Sequence, residues 1–156
     1  MGKSLLRLGL AIFAFFYRLT RGKVGGNLLL FRALLLTTTG RKTGKKRTTP
    51  VGYIEHDGGY VIVGLFVVFG DTNPGWFYNL RTNPRASIQV NDKQFEVSAE
   101  IVGPDKRGPI WARVTELIPI YAKVAKMTTR EIALVILHPG GTDVPPAIET
   151  IPTNTP

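Results

Sequence analysis

Between Thr39 and Thr48 the chain reads GRKTGKKR, five cations in eight residues with glycines at 40 and 44 and no carboxylate. Guanidinium forks and ammonium groups gathered around a tight turn can converge on one multivalent anion, and the small residues leave backbone N–H groups within reach of it. The same run can instead solvate a hairpin tip or serve as a nuclear address. Further on, NPGWFYNL sets Trp76 and Asn79 one helical turn apart, so an indole plane and a side-chain amide can face the same ligand. Tyr121, in IPIYAKV, offers a hydroxyl that can orient a substrate or pass it a proton. There is no cysteine, which excludes disulfides, thiolate metal sites and a cysteine nucleophile, and suits a reducing compartment. His56 and His138, the two histidines, stand beside expected strand ends and are read as surface residues, so no metal site is expected.

These residues belong to a chain of 156 residues, close to one ordinary domain and long enough to bury a core. A composition that is 44% hydrophobic and 20% charged excludes wholesale disorder. The net charge of +9 favours an anionic partner: nucleic acid, an acidic membrane face or a polyanionic small molecule. Nucleic acid is the least expected, because the basic run lacks interleaved aromatics for base stacking and matches no reader motif.

Three regions must position the candidate groups. Residues 1–24 read as an N-terminal helix. At about 100° per residue Lys3, Arg7, Arg18 and Arg21 fall on a stripe about 60° wide, with leucines, Ile12 and phenylalanines over most of the rest. The apolar run from Leu8 to Tyr17 is too short to span a bilayer, and no small-residue cleavage site follows it. Such a helix can lie in a membrane interface, or pack on its own domain or on a second copy of the chain. Residues 25–139 carry the alternation of a β domain. Strands are expected over 33–39 and 47–55, over YVIVGLFVVF with both faces buried, and over ASIQV, QFEVSAEIVG and EIALVIL. His56-Asp57-Gly58-Gly59 and Asn91-Asp92 supply turns, Asn73 is expected to cap a helix that ends at Asn83-Pro84, and a helix over 104–127 must break or kink at Pro119. Residues 140–156 read as a flexible tail rich in Pro, Gly and Thr. About six short, hairpin-linked strands with inserted helices describe a mainly β, antiparallel barrel.

In that frame TTTGRKTGKKRTTP, followed by a strand, DGG, a second strand and NPGWFYNLRTNP, resembles the deazaflavin-dependent nitroreductase family over residues 28 to 139. The resemblance implies the split β-barrel shared with FMN-binding oxidases, and an oxidoreductase using coenzyme F420, a deazaflavin with a phosphate and an oligoglutamate tail. It assigns Arg41, Lys42 and Arg47 to the phosphate and tail, and lays Pro50 and Val51 against the deazaflavin. It sets Trp76 near the ring, Asn79 near the ribityl or phosphate, and the backbone amides of Leu65 and Phe66 at the pyrimidine edge. The family usually has a small or polar loop where this chain has Gly64-Leu65-Phe66-Val67-Val68, and the side-chain contacts expected there are missing.

By the same resemblance Tyr121 lines the acceptor pocket, and two neighbouring tyrosine positions are Ile118 and Val124 here. The expected activity is hydride transfer from reduced F420 to a lipophilic, electron-poor acceptor: a quinone, an enone or a nitro compound. The alternatives are an FMN-dependent split-barrel oxidoreductase and a cofactor-binding or lipophile-binding protein without turnover. A tail of several carboxylates accounts for more of the cations than FMN's single phosphate does. The expected location is cytoplasmic, peripheral on the inner face of the membrane, with a homodimer as the other use of the N-terminal helix.

Overall fold

The computed structural model of the chain describes residues 4, 7–9, 11–12, 14, 18, 21, 27–28, 31–64 and 72–140, with backbone alone at 27–28 and 31. After helical residues at 4, 7–9, 11–12, 14 and 18, the elements run β1 (Asn27–Leu28), β2 (Phe31–Thr39), β3 (Lys46–His56), β4 (Gly59–Gly64), α1 (Gly75–Thr82), β5 (Arg85–Val90), β6 (Lys93–Ile101), α2 (Pro104–Leu117), α3 (Ile120–Ala125) and β7 (Ala133–Pro139). All strand pairs are antiparallel. They run in the order β2-β3-β4-β7-β6-β5, and β5 pairs back onto β2 at Leu35↔Gln89 and Leu36↔Ile88, so six strands close on themselves as expected. Closure leaves no long unpaired strand edge among the described residues.

Tight turns make the hairpins short. Asp57 (φ 48°) and Gly58 (φ 75°) turn β3 into β4, and Asn91 (φ 55°) turns β5 into β6. These left-handed conformations match the twist of two-residue hairpins and favour Gly, Asn and Asp.

The alternation of strand side chains divides the core in two. Leu34, Leu36, Tyr53, Ile62, Val135 and Leu137 point into the barrel, where α1 adds Trp76, Phe77 and Leu80. Ile54, Val61, Val63, Leu134 and Ile136 point outward and are covered by Ile110 and Val114 of α2, by Ile118 and by Tyr121 of α3. Strands β4 and β7 are therefore buried on both faces, the reason for their unbroken apolar sequences.

Helix α2 starts at Pro104 and the expected break comes at Pro119, with Pro109 inside α2 and the Ile118 N–H still bonded to the Val114 carbonyl. One local expectation is corrected. Asn73 does not cap α1, whose N-cap is Pro74; its Oδ1 accepts from Arg130 Nη1 instead (2.8 Å). Strand β4 ends at Gly64, and the expected continuation over residues 65–69 lies outside the described residues, as does the expected tail at 141–156.

Both histidines sit at strand ends on carboxylates. His56 Nε2 is 3.4 Å from Asp57, and His138 Nε2 is 2.8 Å from Glu100, which also accepts from Lys106.

Candidate functional site

The β2–β3 hairpin carries the basic run. Its tip closes with the Gly40 N–H on the Lys45 carbonyl and the Gly44 N–H on the Gly40 carbonyl, both 2.8 Å. Gly44 has φ +68°, and a Cβ on Gly40 would stand 2.8 Å from Thr43 Oγ1 and 3.1 Å from the Lys45 carbonyl. Both glycines are therefore required by shape, one for its left-handed backbone and one for close approach.

Asn79 on α1 ties this tip to the barrel. Its Oδ1 accepts from the Arg41 backbone N–H (3.1 Å), and its Nδ2 donates to Thr38 Oγ1 (3.0 Å), which is fully buried on β2. The Arg41 guanidinium lies over the Tyr78 ring at 5.0 Å, held by the same helix. Arg130 fixes the approach to α1 by donating to Asn73 and to the Gly64 carbonyl (3.1 Å); its own Nε is buried without a hydrogen-bond partner among the described residues.

Replacing Asn79 by alanine leaves the Thr38 hydroxyl and the Arg41 N–H short of a partner. The expected cost is about 1 to 3 kcal/mol, read from denaturant midpoints. Asn79→Asp should keep an acceptor for both groups, so it should fold better than the alanine variant yet bind anions less well.

Between the hairpin and the start of α1 lies a cleft of about 790 Å³. Arg7, Arg41, Lys42 and Arg47 line it together with Thr38, Thr48, Thr49, Thr72, Trp76 and Asn79, and no carboxylate is among the described lining residues. Pro74, Gly75 and Trp76, the first turn of α1, face it as well, without a side-chain cap or an acidic residue in that turn. Uncapped N–H groups at a helix start and uncompensated cations both favour an anion.

The structure thus brings together Arg41, Lys42, Arg47, Trp76 and Asn79, five of the residues singled out in the sequence. Lys45 and Lys46 do not join them; Lys46 Nζ turns to Thr39 Oγ1 at 3.1 Å. Pro50 is half-buried opposite Leu35 on the outer face, and Val51 is buried in the inner core with Trp76; neither is among the described lining residues of the cleft. Leu65 and Phe66 lie outside the described residues. Arg7, Ala11 and the threonine wall were not singled out as site residues. The threonine runs on either side of GRKTGKKR were the available signal, whereas nothing local marks Arg7 or Arg130.

Tyr121 is not part of the cleft's described lining. It is 8% exposed in the outer core beside Ile118, and burial pushes its hydroxyl up to about 12. A phenol whose folded pKa is raised favours folding fully below its unfolded value, near 10. That stability is lost as pH rises from there toward 12, because the unfolded chain sheds the proton first. Denaturant midpoints should fall over this window, and Tyr121→Phe should flatten the fall.

The family profile described as F420H(2)-dependent quinone reductase matches residues 10–139. An F420H(2)-dependent quinone reductase of Mycobacterium tuberculosis is 37% identical over 144 residues, covering 88% of this chain and 91% of that protein. A solved F420-H2 dependent reductase superposes with a TM-score of 0.61 at 33% identity, over 68% of this chain and 93% of that one. A structure described as a domain-swapped dimer superposes with a TM-score of 0.63 at 29% identity, over 88% of this chain and all (100%) of that one.

Proposed function

This chain belongs to the F420H(2)-dependent quinone reductase family, and from that membership we propose that it moves a hydride from reduced F420 to a lipophilic acceptor of the quinone class. The observation that carries the reading is the cleft's charge: four cations, threonine hydroxyls and an uncapped helix start, with no carboxylate among the described lining residues. That donor set fits a phosphate followed by several carboxylates better than it fits one phosphate, which favours F420 over FMN.

Arg41, Lys42 and Arg47 are assigned to the phosphate and tail. Asn79 acts on them by holding the Arg41 backbone in place, and Trp76 gives the cleft an apolar wall that excludes water on its core side. Val51 supports that wall from β3, packing with Trp76 in the inner core. When bound, the reduced cofactor supplies the hydride, and the protein's part is to hold donor and acceptor together in a dry site. The acceptor must also gain a proton; the resemblance assigns this to Tyr121, whose hydroxyl is protonated throughout the physiological range but lies in the outer core, outside the cleft's described lining.

The quinone reading also gives the N-terminal helix a use. Leu8 and Ile12 are 59% and 49% exposed, and no helix among the described residues is long and apolar enough to cross a membrane. An apolar helix face of this kind suits the interface of an anionic leaflet, where lipophilic quinones are concentrated. The domain-swapped relative supports a second use, a face covered by another copy of the chain.

The test is anaerobic mixing of reduced F420 with a short-chain quinone. The deazaflavin should reoxidise only when both protein and quinone are present. A chain that binds F420 without reoxidation would instead be a cofactor-binding protein.

A further inference from the structure

Arg130 is a half-buried cation outside the cleft's described lining, and no ion pair among the described residues includes it. It follows α3 in a turn where its backbone N–H donates to Thr128 Oγ1 (3.3 Å), and two residues later Ile132 is sealed in the outer core. Nη1 donates to Asn73 Oδ1 at 2.8 Å and Nη2 to the Gly64 carbonyl at 3.1 Å, while the buried Nε has no hydrogen-bond partner among the described residues. Desolvating a guanidinium against two neutral acceptors, with one N–H unmet, costs free energy that an apolar side chain of similar volume does not. Packing alone therefore does not account for arginine here.

What a guanidinium adds is a planar fork with donors at fixed separation. One arm holds a fixed point of the barrel: Gly64 ends β4 beside Ala133, and a Cβ on Gly64 would stand 3.0 Å from the Ala133 Cβ and 3.2 Å from its carbonyl. The other arm holds Asn73, a cleft-lining residue directly before Pro74, the N-cap of α1. Helix α1 has no side-chain cap, so the place of its first turn depends on what holds Asn73. Its body is tied separately, by Asn79 to Thr38 and to the Arg41 N–H and by Trp76 and Leu80 in the inner core.

We propose that Arg130 is a positioning residue for cofactor binding: from outside the cleft it sets Asn73 and the first turn of α1, and with them Trp76 and the uncapped helix N–H groups, against the basic hairpin. The proposal rests on the reading of this cleft as the F420 site. Loss of Arg130 leaves α1 attached through Asn79 and the core, so the variant should fold with the start of that helix out of place.

The experiment uses the full chain and titrates F420 into the parent, Arg130→Ala, Arg130→Lys, Asn73→Ala, the double alanine variant and Arg107→Ala. Arg107 is the control, an outer-layer cation over Trp111 and 3.8 Å from Glu131, absent from the cleft's described lining. Folded Arg130→Ala should bind F420 about three- to tenfold more weakly, the worth of one hydrogen bond, whereas Arg107→Ala loses stability and keeps the parent's affinity. With a short-chain quinone as acceptor, Arg130→Ala should raise KM for F420 by the same factor and keep kcat within about twofold of the parent. A partly unfolded population would do the reverse, lowering kcat and leaving KM alone. Arg130→Lys keeps the charge without the fork and should fall between the alanine variant and the parent. In the Asn73→Ala background, removal of Arg130 should cost less than about twofold more, because the two act as one unit.

Equal affinity of folded Arg130→Ala and parent overturns the proposal and leaves the cleft reading intact. So does a lysine variant that matches the parent, since charge and not the fork would then be at work, and so do fully additive effects of the two alanine substitutions. If Arg130→Ala does not fold, Asn73→Ala carries the test, and parent-like affinity in that variant overturns the proposal. A parent chain that does not bind F420 overturns both readings.

Discussion

Replacement of Trp76 by alanine is expected to remove about 3 to 5 kcal/mol of stability, the usual cost of emptying a buried aromatic site. Trp76 is 5% exposed and packs in the inner core with Leu34, Val51 and Leu80, yet it also forms part of the cleft lining. A side chain with one edge in the core and another at a ligand site must show both effects. The denaturant midpoint should drop, and F420 affinity should fall even where the variant remains folded. Trp76→Phe separates the two, because a smaller ring preserves much of the core while leaving a gap at the rim. If either variant, shown to be folded, binds F420 as tightly as the parent, then Trp76 is core alone.

Removing Lys42 and Arg47 together should have its largest effect on binding and little on folding. Both are exposed and line the cleft, and neither is in a salt bridge among the described residues. A hydrogen bond to a charged group contributes about 1.5 to 3 kcal/mol; taken at the low end for exposed groups, two such losses weaken F420 binding about a hundredfold. The loss should shrink as salt screens the pair, with a Debye length of about 10 Å at 0.1 M. Unchanged affinity at low salt would remove these residues from the site.

What could be read from the sequence follows from how local each cause is. Hairpin turns at Asp57-Gly58 and Asn91 declare themselves through residues that tolerate left-handed backbone, and β4 and β7 through unbroken apolar runs. Arg41, Lys42 and Arg47 were legible because one turn gathers them. Asn79 was legible as a polar group facing the cleft, but its task of tying Arg41 to Thr38 depends on how α1 packs across β2, forty residues away in the chain. Arg130 clamps Asn73 to Gly64 across more than fifty residues, and no local pattern announces a contact made only by barrel closure. For the N-terminal stripe, periodicity gives the angle between faces and not which face meets the protein. Threonine hydroxyls and a small-residue contact at Ala14 made the basic face the inner one.

The most direct test of the central claim is the affinity of this chain for deazaflavins that differ only in their anionic ends. A chromophore without phosphate or tail, one with phosphate alone, and F420 with progressively longer glutamate tails would be titrated at low and high salt. Affinity is predicted to rise with the phosphate and again with tail length, and the rise should shrink at high salt. Equal affinity for the tail-free chromophore and for long-tailed F420 would contradict the account, because the cations of the cleft would then have no part in holding the cofactor.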